Sequence, residues 1–270
     1  MTDAVTMART GLLDALEALE SHLGALVIVG AQAIYLHTGS TQLALAEYTT
    51  DGDVAVDPDL LSSEPLVEEA MRAAGFTPDP RSSAIGSWIS PRGVPVDLMV
   101  PEAVAGAGRR GARIPPHGSK AMRRSRGIEA TLVDNSKMMI GALDVTVDPR
   151  EFQVSVAGPT ALLVAKLHKI HDRVETPSRL DNKDAHGIYR LLRAVDTDVF
   201  VGVTGLLLSA AVSAQVTSEA INHLGELFAR GPNARGSVLA GAAEELVGDP
   251  AAVAVSVALL AQDQLDALAS

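Results

Sequence analysis

Leu12, Leu13, Leu16 and Leu19 recur at helical spacing between polar neighbours, so residues 7–22 are expected to open the chain as an amphipathic helix. The all-apolar run 25–29 that follows is short and ends at Gly30, the pattern of a buried strand. Residues 31–37 then read as a helix that stops at Gly39. Asp53-Val-Ala-Val-Asp57 alternates like a strand. Asp57-Pro58 has the residues of a helix start, a capping carboxylate and a first-turn proline, leading into 66–74. Further strands are expected at 84–89, 94–100, 128–133, 138–143 and 152–156.

After Gly158-Pro159 the pattern changes. Segments 159–170, 182–194, 197–213, 218–229, 235–247 and 251–268 all keep a helical period, and Pro177, Gly231-Pro232 and Asp249-Pro250 fall in the connections. The expected class is therefore α+β: a mixed sheet flanked by helices over 1–157, then a helical bundle over 158–270. No tandem repeat or low-complexity tract is visible.

Composition narrows the function. The 270 residues are 47% hydrophobic and 20% charged, as in a folded chain with a sizeable core. With no cysteine, a disulfide scaffold, a thiolate zinc site and a cysteine nucleophile are all excluded. Aromatics at 3% make stacking on several unpaired bases a poor expectation. The longest apolar stretch, 199–212, is cut by Gly202, Thr204, Gly205 and Ser209 and is shorter than the roughly 20 residues of a membrane span. No spanning segment is expected, and the N-terminus lacks a basic and apolar leader, so the expected location is cytoplasmic.

A net charge of 22 − 33 = −11 disfavours indiscriminate attraction to nucleic acid. The charge is uneven, however. Arg109, Arg110, Arg113, Lys120, Arg123, Arg124 and Arg126 follow one another with no acid between them, in a segment rich in glycine and proline. Two readings stay open for it: a solvated loop, or a mobile basic flap beside a site that handles phosphates.

Chemistry concentrates around Asp51-Gly52-Asp53. Side chains two apart on a strand share a face, and neighbouring carboxylates suit a hard divalent ion that keeps phosphate and water ligands. Asp97 is a third carboxylate, set in the apolar segment Val94-Pro-Val-Asp-Leu-Met-Val100, where its burial needs compensation. Upstream, Val27-Ile-Val-Gly-Ala31 turns from strand to helix, which points backbone N–H groups at a bound anion. Each feature alone is commonplace: most Asp-x-Asp pairs are surface turns, and most such glycines are plain turns.

In this order, the glycine turn, the Asp-x-Asp strand and the third Asp strand resemble the nucleotidyltransferase fold of the DNA polymerase β type. The wording is closer still to the AbiEii group of nucleotidyltransferase toxins, which includes the mycobacterial MenT toxins. The matching pieces are Val29-Gly30-Ala31, Thr49-Thr50-Asp51-Gly52-Asp53, Asp97, Ala165-Lys166 through Lys169 to Arg173, and Asn182-Lys183-Asp184. Gly39-Ser40, ten residues ahead of Asp51, also satisfies the family's linear Gly-Ser spacing. The sequence departs from the family pattern in having Ala31 rather than Gly or Ser, and Gly187 where many relatives carry a further Asp. The likeness covers roughly residues 25–195.

The resemblance implies transfer of a nucleoside monophosphate from an NTP, with a Mg²⁺ (or Mn²⁺) cofactor held by Asp51, Asp53 and Asp97. It implies that Lys166 and Asp184 neutralise and position phosphates, and that Gly30, Ala31, Thr49, Lys169 and Arg173 contact the nucleotide. The helical domain would complete the active-site cleft of the nucleotidyltransferase-like domain. Family acceptors include tRNA 3′ ends, with Arg109, Arg110, Arg113, Arg123 and Arg124 then facing the RNA backbone, and members usually pair with an antitoxin. A small-molecule nucleotidyltransferase of the antibiotic-modifying kind and a non-catalytic binding module are the competing readings.

The later segment has its own physics. Lys166, Lys169 and Arg173 fall at i, i+3 and i+7 on one helical stripe, at the edge of the apolar face made by Leu162, Ala165 and Ile170. The resemblance implies that Asp184 orients a lysine or contacts the nucleotide, whereas beside Asp181-Asn182 it reads by itself as a helix cap, and His168 and His171 read as packing or exposed residues.

Overall fold

A computed structural model describes residues 4–39, 49–80, 85–174 and 182–270. The chain divides into two compact units, Met1–Ala33 with Tyr48–Ala157 and Ile34–Glu47 with Gly158–Ser270. The class is α+β, with a mixed sheet, flanking helices and a helical C-terminal region.

In the first unit the leucine stripe forms α1 (Ala4–Ala18), which buries Leu12, Leu13 and Leu16. A 3₁₀ segment, Glu20–Ala25, leads into the sheet. Its strands are β1 (Leu26–Val29), β2 (Gly52–Val56), β3 (Thr77–Pro78), β4 (Ser87–Ile89), β5 (Pro95–Pro101), β6 (Arg123–Ser125), β7 (Asn135–Gly141) and β8 (Glu151–Ala157). The order is β3-β4-β5-β2-β1-β8-β7, and β6 also pairs with β5. β1 is buried at all four positions, between antiparallel β2 and parallel β8. Helix α2 (Gly30–Thr38) leaves β1 directly, and α3 (Val67–Ala73) packs with α1. β4 pairs with the first residues of β5 and β6 with its last, so two short strands share one edge of β5.

Two expectations in this unit fail for local reasons. Residues 128–133 are not a strand but a 3₁₀ turn, Glu129–Leu132. Glu129 is buried and its carboxylate accepts the N–H groups of Gly127 (2.7 Å) and Ala103 (3.3 Å), while Thr131 Oγ1 donates back to the Ile128 carbonyl. Such side-chain bonds to nearby backbone compete with a ladder. Asp57 does not cap a helix; its Oδ1 accepts from Asp59 N at 3.0 Å, and α3 begins only at Val67, whose N–H donates to His117 Nδ1.

The second unit contains α4 (Pro159–His171), α5 (Asn182–Ala194), α6 (Thr197–Ser209), α7 (Ala214–Leu224), α8 (Arg235–Ala242) and α9 (Pro250–Ala269), with a π-helical turn at Gly225–Ala229. Pro159 and Pro250 sit in first turns, where their missing N–H costs nothing. Asp249 caps α9 by accepting from Ala251 N and Ala252 N. α6 stops four residues earlier than its pattern predicts, because Ser213 folds back and donates to the Leu207 carbonyl at 2.7 Å. α8 ends at Ala242 rather than 247, and Glu244 turns inward to His186 at 2.9 Å. Phe228, fully buried in the π turn, lies so close to Gly236 that a Cβ there would stand 2.5 Å from its ring.

One described helix bears on the expectation about membranes without overturning it, since a core helix of a folded chain can be equally long and apolar. By length and composition alone, α9 is long and apolar enough to cross a bilayer, with a mean hydropathy of 1.3 over its best window. A search for uninterrupted apolar runs passes over it because Gln262, Asp263, Gln264 and Asp266 break its end. α9 buries Val253, Val257 and Ala261 against α5, α6, α8 and the π turn, while Leu259 is 60% exposed.

Candidate functional site

The acidic residues of the first unit are positioned by strand register. β2 and β5 run parallel with Asp53 directly opposite Asp97 and Gly52 opposite Val96. Paired residues on neighbouring strands share a face and stand about 4.8 Å apart along the hydrogen-bonding direction. Both carboxylates are half-buried, and Asp51, one residue before β2, is exposed. Thr49 is buried and its Oγ1 donates to Asp51 Oδ1 at 3.0 Å, so it orients that carboxylate.

Gly30 is the turn between β1 and α2, at φ 67°. A Cβ on Gly30 would meet Asp53 Oδ2 at 2.1 Å, which no side chain tolerates. Glycine is required here twice over, by the left-handed backbone and by the carboxylate packed against it. The α2 N-terminus thus starts against Asp53, and Ala31 follows in its first turn, half-buried. α2 ends at Thr38 and Gly39 follows it, so the strand-to-helix turn is Gly30. Ser40 lies outside the described residues.

Asp97 has a cationic partner. Arg123, on β6, donates from Nη2 to Asp97 Oδ2 at 2.9 Å, and both side chains are about a quarter exposed. The oxygens of Asp51, Asp53 and Asp97 do not all lie within 4.8 Å of one another. The donor set itself, three carboxylates with two of them in register, is the chemistry that a hard divalent ion takes. The donor types suit such an ion, but as placed the three carboxylates are not gathered round one point, and Asp97 is paired with Arg123.

The basic segment is more ordered than a loose flap. Gly111 bridges Arg123, Ala112 N donates to the Met122 carbonyl, and Arg124 N donates to the Arg110 carbonyl, so the segment closes on itself. Arg124 reaches the carbonyls of Gly106 (2.6 Å) and Glu102 (3.3 Å) and is engaged within the fold. Arg109, Arg110 and Arg113 are exposed. The seven cations therefore divide into residues that hold the turn and residues that face solvent.

The second unit builds a separate charged centre. Asp184, in the first turn of α5, is 5% exposed and takes three cations from α4 and the turn after it. Lys166 Nζ lies 2.5 Å and Lys169 Nζ 3.0 Å from Oδ1, and Arg173 Nη1 lies 3.2 Å from Oδ2. Burial alone would push the Asp184 carboxyl up, but the charges and hydrogen bonds of Lys166 and Lys169 outweigh it and hold the carboxyl well below the usual range. The cation stripe that helical spacing predicts thus converges on one carboxylate, leaving the four groups with a formal charge of 3 − 1 = +2. Gly187 packs beneath: a Cβ there would meet Ile34 Cδ1 at 3.3 Å and Lys166 Cε at 3.6 Å. An added carboxylate would crowd this contact.

Arg123 as partner of Asp97, and Glu244 as partner of His186, escape sequence reasoning. They lie 26 and 58 residues from those partners, with no local period to connect them. An acid in an apolar strand does announce that Asp97 needs a partner, though not which one.

No family model, no curated protein and no solved structure matches the chain.

Proposed function

We propose that this chain is a Mg²⁺-dependent nucleotidyltransferase that moves a nucleoside monophosphate from an NTP to an acceptor hydroxyl, with a tRNA 3′ end as acceptor and a toxin–antitoxin pair as its setting. The reading rests on the resemblance of its ordered motifs to the AbiEii and MenT toxins and to the polymerase β type of fold. The observation that carries it is the register of Asp53 with Asp97, with the Gly30 turn packed on the Asp53 carboxylate.

Asp51, Asp53 and Asp97 are the residues that would hold the ion, with Thr49 orienting Asp51. A bound Mg²⁺ supplies charge stabilisation to the entering and leaving oxygens of an in-line displacement. The acceptor oxygen bonds to the α-phosphorus as the bond to the bridging oxygen breaks, and pyrophosphate leaves with that electron pair. Asp97 would take the acceptor's proton or, turned from Arg123, help to hold the ion. Gly30 and Ala31 offer backbone donors to phosphate. By the family resemblance, Lys166, Lys169 and Arg173, which are held on Asp184, would supply positive charge of the kind that phosphoryl-type transfer needs.

The pairing of Arg123 with Asp97 favours one second reading, a binding module that keeps the site without turnover. Purified protein, Mg²⁺, each α-labelled NTP and total tRNA, run beside an Asp51→Ala, Asp53→Ala variant, separate the two. Label on tRNA with wild type and none with the variant is the expected result. No transfer by wild type, with metal-dependent NTP binding retained, selects the module and overturns the enzyme.

A further inference from the structure

The second unit contains a histidine cluster that the charged centre on Asp184 does not use. The last turns of α4 carry His168 and His171, α7 carries Glu219 at its middle and His223 near its end, and the π turn carries Glu226. One ligand atom from each of His171, His223 and Glu226 lies within 4.8 Å of the other two. From this geometry we infer that His171, His223 and Glu226 bind a borderline transition-metal cation of the Zn²⁺ class.

The ligand chemistry selects the ion. Two imidazoles and one carboxylate suit Zn²⁺ and its neighbours, whereas Mg²⁺ and Ca²⁺ take oxygen donors. Three protein ligands of this kind leave a fourth position open. The site is therefore chemically distinct from Asp51, Asp53 and Asp97, and it does not depend on the nucleotidyltransferase reading.

Further observations point to the same residues. His223 Nδ1 is buried and has no hydrogen-bond partner, an orphaned polar atom that a ligand would satisfy. The rings of His171 and His223 stack at 3.7 Å and 15°, and His168 meets His223 edge-on at 5.2 Å. Three imidazoles this close repel when protonated, and the neutral ring is the form that binds metal. Burial, with the charges of His171 and His168, lowers His223 to about 4, in keeping with a neutral ring. Glu226 reaches the group because the chain widens from α- to π-helix at Gly225–Ala229, a distortion common at functional sites.

His168 has a different task. Its Nε2 is engaged with the Val216 carbonyl at 2.8 Å, which fixes the ring as packing behind His223. His171 is the ligand that would have to turn. Parallel rings direct their nitrogens side by side, so convergence to zinc–nitrogen distances of about 2.0–2.1 Å requires one ring to turn. His171 is 45% exposed, with only the exposed Asp172 carboxylate at 3.9 Å from its Nδ1 and one ring face on His223, whereas His223 is held between two rings. A bound ion would fasten the end of α4 to the π turn.

The test uses the tag-free full chain after chelator treatment, titrated calorimetrically with Zn²⁺ alone, and with Co²⁺ read by its visible spectrum. One Zn²⁺ per chain is expected, with a tetrahedral-type Co²⁺ band and no competition by millimolar Mg²⁺. His171→Ala and Glu226→Gln, both at exposed positions, are each expected to weaken Zn²⁺ at least tenfold while leaving the metal-free melting curve unchanged. Asp51→Ala, Asp53→Ala is expected to bind Zn²⁺ as wild type does. Absence of Zn²⁺ binding by wild type overturns the inference. So does unchanged affinity in both single variants, or loss of binding in the double aspartate variant.

Discussion

Lys166 Nζ and Asp184 Oδ1 meet at 2.5 Å, joining the middle of α4 to the first turn of α5 through side chains that are 10% and 5% exposed. Lys169 and Arg173 complete the shell around the same carboxylate. An ion group this buried gives little net stability over a well-packed apolar pair, yet losing one partner is costly. Asp184→Ala is therefore expected to destabilise the fold by about 3–5 kcal/mol at neutral pH. Because the folded carboxyl titrates below its unfolded value, its contribution is full above about pH 4 and is lost as pH falls through the folded pKa. Denaturant titrations at pH 7 and pH 3 should show the gap between wild type and variant narrowing in acid.

Gly30→Ala should damage both backbone and site. The left-handed φ of 67° strains any other residue, and the new methyl would stand 2.1 Å from Asp53 Oδ2. A loss above about 1 kcal/mol is expected, the scale for substitution at an incompatible glycine. Metal-dependent NTP binding should fall further than stability does, since Asp53 must move. Thermal melting and calorimetry on the same preparation separate the two effects.

Arg123→Ala isolates the cation at Asp97. A partly exposed pair of this kind contributes about 0–1 kcal/mol, so melting should scarcely change. If the chain binds NTP through Mg²⁺ as proposed, that binding should saturate at lower Mg²⁺ than in wild type once the guanidinium is gone. A Mg²⁺ titration of NTP binding checks this, and an unchanged midpoint would show that Arg123 does not compete for Asp97.

The arginines of the basic segment should divide by environment. Replacing exposed Arg109, Arg110 and Arg113 with Ala is expected to leave stability within about 0.5 kcal/mol. If tRNA is the acceptor, its salt dependence should flatten, by about 0.7–0.9 in slope for each phosphate contact removed. Arg124→Ala should instead lower the melting temperature, because its guanidinium holds the Gly106 and Glu102 carbonyls. Melting curves and tRNA affinity at several salt concentrations test both halves.

Much of this was legible along the chain. The leucine stripe of α1, the apolar run of β1, the first-turn Pro159 of α4 and the whole of α5 follow from local period and cap chemistry. So does the common stripe of Lys166, Lys169 and Arg173, since helical spacing places them before any packing is known. The strand expected at 128–133 failed because Glu129 and Thr131 bond backbone a few residues away, which hydrophobic period does not register. Glu244 broke the helical pattern of 235–247 for a partner 58 residues distant.

Most of the elements, the two regions of different pattern and the stock of carboxylates and cations follow from residue order, because helix and strand periods are properties of neighbours. Tertiary structure alone decided which of those groups meet. Asp53 stands beside Asp97 because of strand register, Arg123 answers Asp97 because β6 joins the edge of β5, and His223 reaches His171 because α7 packs on α4. Each of these contacts closes a loop of tens of residues. Their selection depends on the packing of the whole unit rather than on any local preference, and so no window along the chain contains them.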